Sequence, residues 1–345
     1  MKIKKWWQTP PVTYTFKSHE QPAMIGSPGV PDHPYRRKVF YALVGIVLAI
    51  TGGMQNGLLT AVLPQLQGSL ALTPAEGGWI LVTYNMVNAC MSMLLFKCRQ
   101  QFGLARFIRA IIFALVLCNL IQVTTHSYHS ELLARGISGL AASGMNALAL
   151  FYFIQAMPMK WRLKGIACSI SLSQVALPFA RAISPTLMDD GNLQAVFWLQ
   201  LGMSLNVLVL VSLLPLPHGY TQKAISKTDL VSLLCFALGV AALCAFFVQG
   251  RIVWWDKVEL GQLLLVALIG LGITLLIELN RKEPMIKLDW LRSKELLWLG
   301  LTAAFLRMVM SEQNVGSAGL LTALGMGNTQ MVTYYWVLTA GALTG

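Results

Sequence analysis

Long apolar runs alternate with short polar ones along this chain, and the runs have the length of a bilayer crossing. A helix rising about 1.5 Å per residue needs about 20 apolar residues to span the hydrocarbon core. Ten segments qualify: 39–63, 77–96, 107–124, 132–156, 163–187, 193–215, 229–249, 260–279, 296–321 and 329–345. The ninth is interrupted by Arg307 and Glu312, and the tenth is still apolar at Thr344 and Gly345. Short connections join the first six, which makes 39–215 one six-helix bundle. A polar connector, 216–228, precedes a pair of linker spans over 229–279, and 280–345 starts a further bundle. The pattern predicts an all-α polytopic membrane protein of about ten spans, with its second bundle incomplete.

The placement of charge gives these spans a direction. Lys plus Arg number 26 and Asp plus Glu 14, a net charge of +12. Twenty-one of the cations fall in residues 1–38 or in the connections after spans 2, 4, 6 and 8. The opposite side carries only Arg251 and Lys257, while Arg135, Arg181 and Arg307 lie inside spans. Cations collect on the cytoplasmic side of a membrane protein, so the N terminus is expected in the cytoplasm. The same rule accounts for the basic balance without a nucleic-acid partner. Residues 1–38 read as a polar cytosolic tail, because no apolar stretch of signal-peptide length follows Lys5. Trp6 and Trp7, among lysines, either touch the membrane surface or simply belong to that tail. Trp79, Trp161, Trp254, Trp255, Trp290 and Trp298 fall at or near span ends, as interfacial aromatics do.

Composition removes the other classes. Of 345 residues, 56% are hydrophobic and 12% charged, with mean hydropathy +0.61; a soluble domain carries about 25% charged residues. A soluble enzyme, a disordered chain and a disulfide scaffold are excluded. The six cysteines lie in or beside apolar runs without metal spacing, and the five histidines fall in loops or the tail, so no metal or cofactor is expected. No phosphate-cradling glycine loop and no nucleophile constellation is present. Neither direct use of ATP nor an enzymatic activity is expected.

Several motifs, in order and spacing, carry a resemblance. They are Leu63-Pro64 at the end of span 1, Glu76-Gly77-Gly78-Trp79 through Tyr84-Asn85 at the entry of span 2, and Arg135-Gly136-Ile137-Ser138-Gly139 in span 4. Ile277-Glu278, Pro284-Met285-Ile286 and Leu288-Asp289-Trp290-Leu291 follow around the link from span 8 to span 9. Together they resemble the fourteen-span drug:proton antiporter branch of the major facilitator superfamily. That branch typically carries an Asp late in span 1, where this chain has Gln55 followed by Asn56. Its acidic loop between spans 2 and 3 reads here Phe96-Lys97-Cys98-Arg99-Gln100-Gln101-Phe102-Gly103, keeping the last Gly without the acid. Its span-5 glycine motif reads Ala180-Arg181-Ala182-Ile183-Ser184-Pro185. Fourteen spans exceed 345 residues, so the chain reads as spans 1–10, either a fragment of a longer protein, which we expect, or a truncated product.

A charge placed in hydrocarbon costs at least about 2.5–3.5 kcal/mol and usually faces the protein interior with a task. Counting helical rise places Gln55, Arg181 and Glu312 each roughly 24–27 Å along their helices from the cytosolic side, with Arg135 near the outer start of span 4. Glu312 is the carboxylate this count puts well inside a span, as a proton site or as the static partner of Arg307 or Arg181. For Arg135 the resemblance implies proton relay or anion binding; a packing role tying spans 1 and 4 stays equally open. Arg181 follows Leu177-Pro178, where span 5 should kink, and either reaches a substrate anion or ties helices. Gln55, Asn56, Tyr84, Asn85, Asn88 and Gln174 complete the candidate pathway as hydrogen-bonding groups. The resemblance implies a secondary transporter of the bacterial inner membrane, exporting small organic or amphipathic compounds against proton entry by alternating access. Lipid, a small-molecule substrate and a periplasmic adaptor protein are its candidate partners. Two alternatives remain: a non-transporting sensor or scaffold, and an organic-anion transporter using Arg135 and Arg181.

Overall fold

The computed structural model describes residues 20–21, 26–124, 127–188, 192–217, 219–223, 225–253, 257–281, 284, 293–312, 316–327 and 329–344. Eleven α-helices and no strand occur among them: α1 (Tyr35–Ser69), α2 (Pro74–Phe102), α3 (Leu104–Thr124), α4 (Tyr128–Ala156), α5 (Arg162–Leu187), α6 (Gln194–Leu213), α7 (Lys227–Val253), α8 (Val258–Leu279), α9 (Lys294–Ser311), α10 (Ser317–Ala323) and α11 (Val332–Thr344). Among the described residues the first eight are long and apolar enough to cross a membrane. Trp6, Trp7, Trp254, Trp255 and Trp290, with most of the 284–291 motif, lie outside the described residues.

Helix starts follow local chemistry. Thr73 and Glu76 form a reciprocal cap on α2: the Glu76 N–H donates to Thr73 Oγ1 at 3.3 Å and the Thr73 N–H to Glu76 Oε2 at 2.8 Å. Ser127 and Ser130 cap α4 in the same way, and Ser226 with Asp229 caps α7. The caps on α2 and α4 place their starts before the predicted spans, and α1, which has no side-chain cap, also runs past its predicted ends. Pro64 does not end α1, in keeping with the tolerance of proline in spanning helices. Within the predicted ninth span, 296–321, the described residues form α9 and α10 on either side of residues 313–315, with Ser317 Oγ donating to Glu312 Oε1. The predicted tenth span begins at Val332, after a turn that starts at Gly327.

α1 packs on α4 and α5, α2 on α4 and α7, α3 on α4 and α6, α7 on α8, and α11 on α5. Two apolar clusters fill the six-helix bundle, one around Tyr41, Leu48, Met145 and Tyr152, the other around Leu58, Val62, Ile80 and Phe197. Gly139 sets the α2–α4 distance, since a side chain there would collide with the carbonyl oxygen of Tyr84. α7 is stitched to α2 at both ends. Asp229 accepts from Arg281 Nη1 at 2.7 Å and lies 3.7 Å from Lys97 Nζ, while Gln249 Nε2 donates to the Ala75 carbonyl at 2.9 Å.

The last part of the predicted tail is packed structure. α1 begins at Tyr35, and Ser27, His33 and Arg37 are buried. Gln155 Nε2 donates to the Gly29 carbonyl at 2.7 Å, and Gln155 Oε1 lies 2.8 Å from His33 Nε2. The Gly26 N–H donates to the Tyr220 carbonyl and the Gln222 N–H to the Gln100 carbonyl, both at 2.9 Å. Residues 26–34 thus strap the connector onto the basic end of the bundle. Proline-rich sequence concealed this, because it signals loop without saying whether the loop docks. Burial pushes the His33 pKa down from 6.5 to about 4, with Arg37 and Lys38 in the same direction and Gln155 and Asp32 opposing. The undocked strap therefore binds more protons than the docked one below pH 6.5. Docking is fully stable above that value and weakens by about 1.4 kcal/mol per unit as pH falls toward 4. Amide exchange of residues 26–34 should accelerate over this window and not in His33→Asn; a flat pH profile in the unmutated protein would contradict the assignment.

Candidate functional site

Two features of the bundle are polar where lipid-facing helices need not be. The first is a closed cluster where α1, α3, α4 and α6 meet. Gln55 and Glu131 are fully buried, Arg135 is 1% exposed, and Asn119, Gln122, Ser138, Gln200 and Ser204 are buried around them. Arg135 Nη1 donates to the Gln55 carbonyl at 2.9 Å, which ties α4 to α1. Gln122 Nε2 of α3 donates to Glu131 Oε2 at 2.7 Å. Asn119 Nδ2 reaches the Gln200 carbonyl at 3.2 Å and Ser204 Oγ at 3.1 Å on α6. Glu131 and Arg135 are four residues apart and share one face of α4. The cluster is under-satisfied: Arg135 Nε and Nη2 and both amide atoms of Gln55 are buried without a hydrogen-bond partner.

The second feature is a cavity of about 440 Å³. Thr60, Ala61 and Pro64 of α1, Arg181 and Ser184 of α5, and Arg251 at the end of α7 form one side, with α10 and the start of α11 opposite. The guanidinium of Arg181 stands 5.6 Å from the centre of the Tyr335 ring, within cation–π range. Among the described residues, the charged side chains lining this cavity are the two arginines.

The predicted residues separate accordingly. Gln55 and Arg135 meet in the closed cluster, with Tyr84 buried on the adjoining α2. Asn88 Nδ2 donates to the Gly139 carbonyl at 3.0 Å and joins α2 to α4. Asn85 is exposed and bonds the Leu81 carbonyl of its own helix, so it does not share a partner with Asn88. Asn56 Oδ1 lies 3.3 Å from Thr60 Oγ1, one turn along α1. Arg307 Nη1 donates to Gln174 Oε1 at 2.7 Å across α9 and α5. Glu312 is exposed at the end of α9 and is bonded to Ser317, so neither Arg307 nor Arg181 is its partner here. The anticipated layer of Gln55, Arg135, Arg181 and Glu312 is therefore two sites, with Glu312 in neither. Glu131 and Arg251 were missed. Glu131 precedes the predicted start of span 4 by one residue, and its spacing to Arg135 was the available signal. Arg251 was assigned to a loop.

The sequence model described as Major Facilitator Superfamily matches residues 45–345. The chain is 22% identical over 236 residues to Multidrug resistance protein Stp of Mycobacterium tuberculosis, covering 68% of this chain and 44% of that protein. It is 22% identical over 256 residues to Multidrug export protein EmrB of Haemophilus influenzae, covering 73% and 50%. It is 19% identical over 267 residues to Fatty acid resistance protein FarB of Neisseria gonorrhoeae, covering 76% and 52%. The chain thus spans about half the length of the curated relatives it matches.

Glu131 and Arg135 are buried one turn apart on α4, so removing one charge should cost more than removing both. Arg135→Leu alone is expected to lose about 3 kcal/mol or more, because it strands the carboxylate. The double variant Arg135→Leu/Glu131→Gln should recover most of that loss. Thermal unfolding of detergent-solubilised protein measures the cycle; additive losses would show that the two charges do not interact.

Proposed function

The chain belongs to the Major Facilitator Superfamily, and we propose that the protein containing it is a secondary transporter that exports small amphipathic organic compounds by alternating access, coupled to proton entry. The observation that carries the reading is the 440 Å³ cavity between the first six-helix bundle and the later helices α10 and α11. Transporters of inverted or repeated helical bundles hold substrate between their halves. The cavity is bounded on the bundle side by the second half of α1 and the second half of α5, so rocking of the later helices would open and close it. Gln55, Asn56, Tyr84, Asn88, Arg135, Gln174 and Arg307 form contacts between helices that such rocking would have to remake.

The bacterial inner membrane is the proposed location, with the N terminus in the cytoplasm. Support comes from the basic ends of α1, α2 and α8, which the strap, the connector and the Lys97–Asp229–Arg281 contacts gather at one end of the bundle. A periplasmic adaptor protein is the proposed partner at the other end. Export of amphipaths agrees with relatives whose names speak of multidrug export and of fatty acid resistance.

The organic-anion reading is favoured by one observation: both charged side chains lining the cavity are arginines. Arg251 takes the place in that clamp expected of Arg135, which is tied instead to Gln55. The complete gene, expressed in a host stripped of its own efflux pumps, should extrude amphipathic compounds in a protonophore-sensitive manner. For amphipathic anions, Arg181→Ala and Arg251→Ala should each weaken apparent affinity about tenfold, the effect of about 1.4 kcal/mol, with little change for a cation of matched hydrophobicity. Equal effects on both charges would remove the anion reading, and no efflux of any probe would favour the sensor or scaffold.

A further inference from the structure

A second cavity, of about 230 Å³, lies at the basic end of the bundle, where the strap, the connector and the start of α3 meet. Its walls include Gly26 and Pro28 of the strap, Leu216 and Gly219 of the connector, and Arg106 and Arg109 of α3. Backbone packs closely around it. A side chain at Gly219 would collide with the Ser27 carbonyl oxygen, and one at Gly26 with the Arg99 carbonyl oxygen. The strap forms one wall, so the cavity is complete only while the strap is docked.

The charged side chains lining this cavity are both arginines. Among the described residues neither Arg106 nor Arg109 makes a hydrogen bond or an ion pair, and Arg109 Nε is buried. Asp229 and Glu278, carboxylates of the same end, are engaged with Arg281 and with Ser232. Arg106 and Arg109 are three residues apart on one helix, where like charges destabilise each other. Backbone adds to the positive character. The Phe107 N–H donates to the Gly103 carbonyl at 3.2 Å, which leaves the N–H groups of Leu104, Ala105 and Arg106, all cavity residues, ahead of the helical ladder. Guanidiniums and free N–H groups that converge in this way suit an anion with several oxygens, a phosphate above all.

The surface beside the cavity says where that phosphate comes from. Arg106 begins an exposed stripe of α3 that continues through Ala110, Phe113, Leu117 and Leu120. Beyond the arginine the stripe is wholly apolar. Leu117 lies eleven residues after Arg106, a rise of about 16 Å, close to the depth of one leaflet in a hydrocarbon core about 30 Å thick. We propose that this cavity binds the headgroup of an anionic phospholipid, its phosphate held by Arg106 and Arg109 and its acyl chains lying along Phe113 and Leu117. The bound headgroup bridges α3 to the strap and the connector. Lipid and docked strap therefore stabilise each other, since a ligand that binds one state favours it.

The test uses the full-length protein in dodecyl maltoside, titrated with phosphatidylglycerol, with phosphatidylcholine of the same acyl chains, or with inorganic phosphate. Phosphatidylglycerol should raise the thermal unfolding midpoint saturably and slow amide exchange in residues 26–34. Phosphatidylcholine, whose choline cation would meet the arginines, and inorganic phosphate, which has no acyl chains, should do neither. Arg106→Gln/Arg109→Gln should raise the half-saturating mole fraction of phosphatidylglycerol at least about tenfold, the effect of about 1.4 kcal/mol. Lys160→Gln/Lys164→Gln removes the same charge from a neighbouring basic connection and should leave that fraction within about twofold. Equal losses in the two variants would reduce the effect to diffuse attraction and overturn the site. Equal stabilisation by inorganic phosphate, or by phosphatidylcholine, would overturn the anionic lipid as its occupant. Arg106→Gln alone, at an exposed position, serves if the double variant does not fold: the half-saturating fraction should rise at least about threefold, and an unmoved value would refute the proposal.

Discussion

Lipid offers no hydrogen bonds, so each span must satisfy its backbone internally, and only side chains remain to hold one helix to the next. Buried polar groups consequently carry more meaning here than in a soluble protein. The contact on which the bundle's organisation turns is the hydrogen bond from Arg135 to the Gln55 carbonyl, a cation fixed to the backbone of α1 from α4. The two helices are also packed extensively, with Tyr41, Leu48, Met145 and Tyr152 filling one end of the seam. The guanidinium stands where that apolar packing gives way to polar residues from α3 and α6. Close approach of α2 at Gly139 closes the cluster from the remaining side.

A second set of charges governs the basic end of the molecule. The loop after α2 lacks the acid that its family resemblance would supply. Asp229 of α7 stands in its place, 3.7 Å from Lys97 and bonded to Arg281. Glu278, buried on α8, accepts from Ser232 Oγ at 2.6 Å. The α7–α8 pair is therefore not a loose insertion between two bundles. It is locked to the first bundle at one end by ions and at the other by Gln249. The far wall of the cavity is left to α10 and α11, of which α11 packs on α5. Such a division, firm at the basic end, suits the alternating-access reading proposed above.

Much of this architecture was legible in the sequence because apolar length is a strong signal. The first eight spans were placed to within a few residues, apart from the C-terminal ends of α1 and α2, which run on to Ser69 and Phe102. What failed had physical reasons. The strap was read as tail because its contacts are long-range and hydrogen-bonded, which no local pattern records. Glu131 was set aside by a boundary, since a cut at Leu132 separates it from the arginine it faces. The candidate site was legible as a set of unusual residues but not as two sites, because helical rise fixes depth and leaves azimuth undetermined.

Single-cysteine labelling in intact cells, in a background lacking the six native cysteines, tests the central claim that these helices thread a bilayer with their basic connections inward. Lys160→Cys should resist a membrane-impermeant maleimide until the membrane is opened, while Asn192→Cys, on the opposite end of α5–α6, should react at once. Labelling of Lys160→Cys from outside, with Asn192→Cys protected, would invert the topology and with it the direction of transport. Equal labelling of both would contradict the spans themselves.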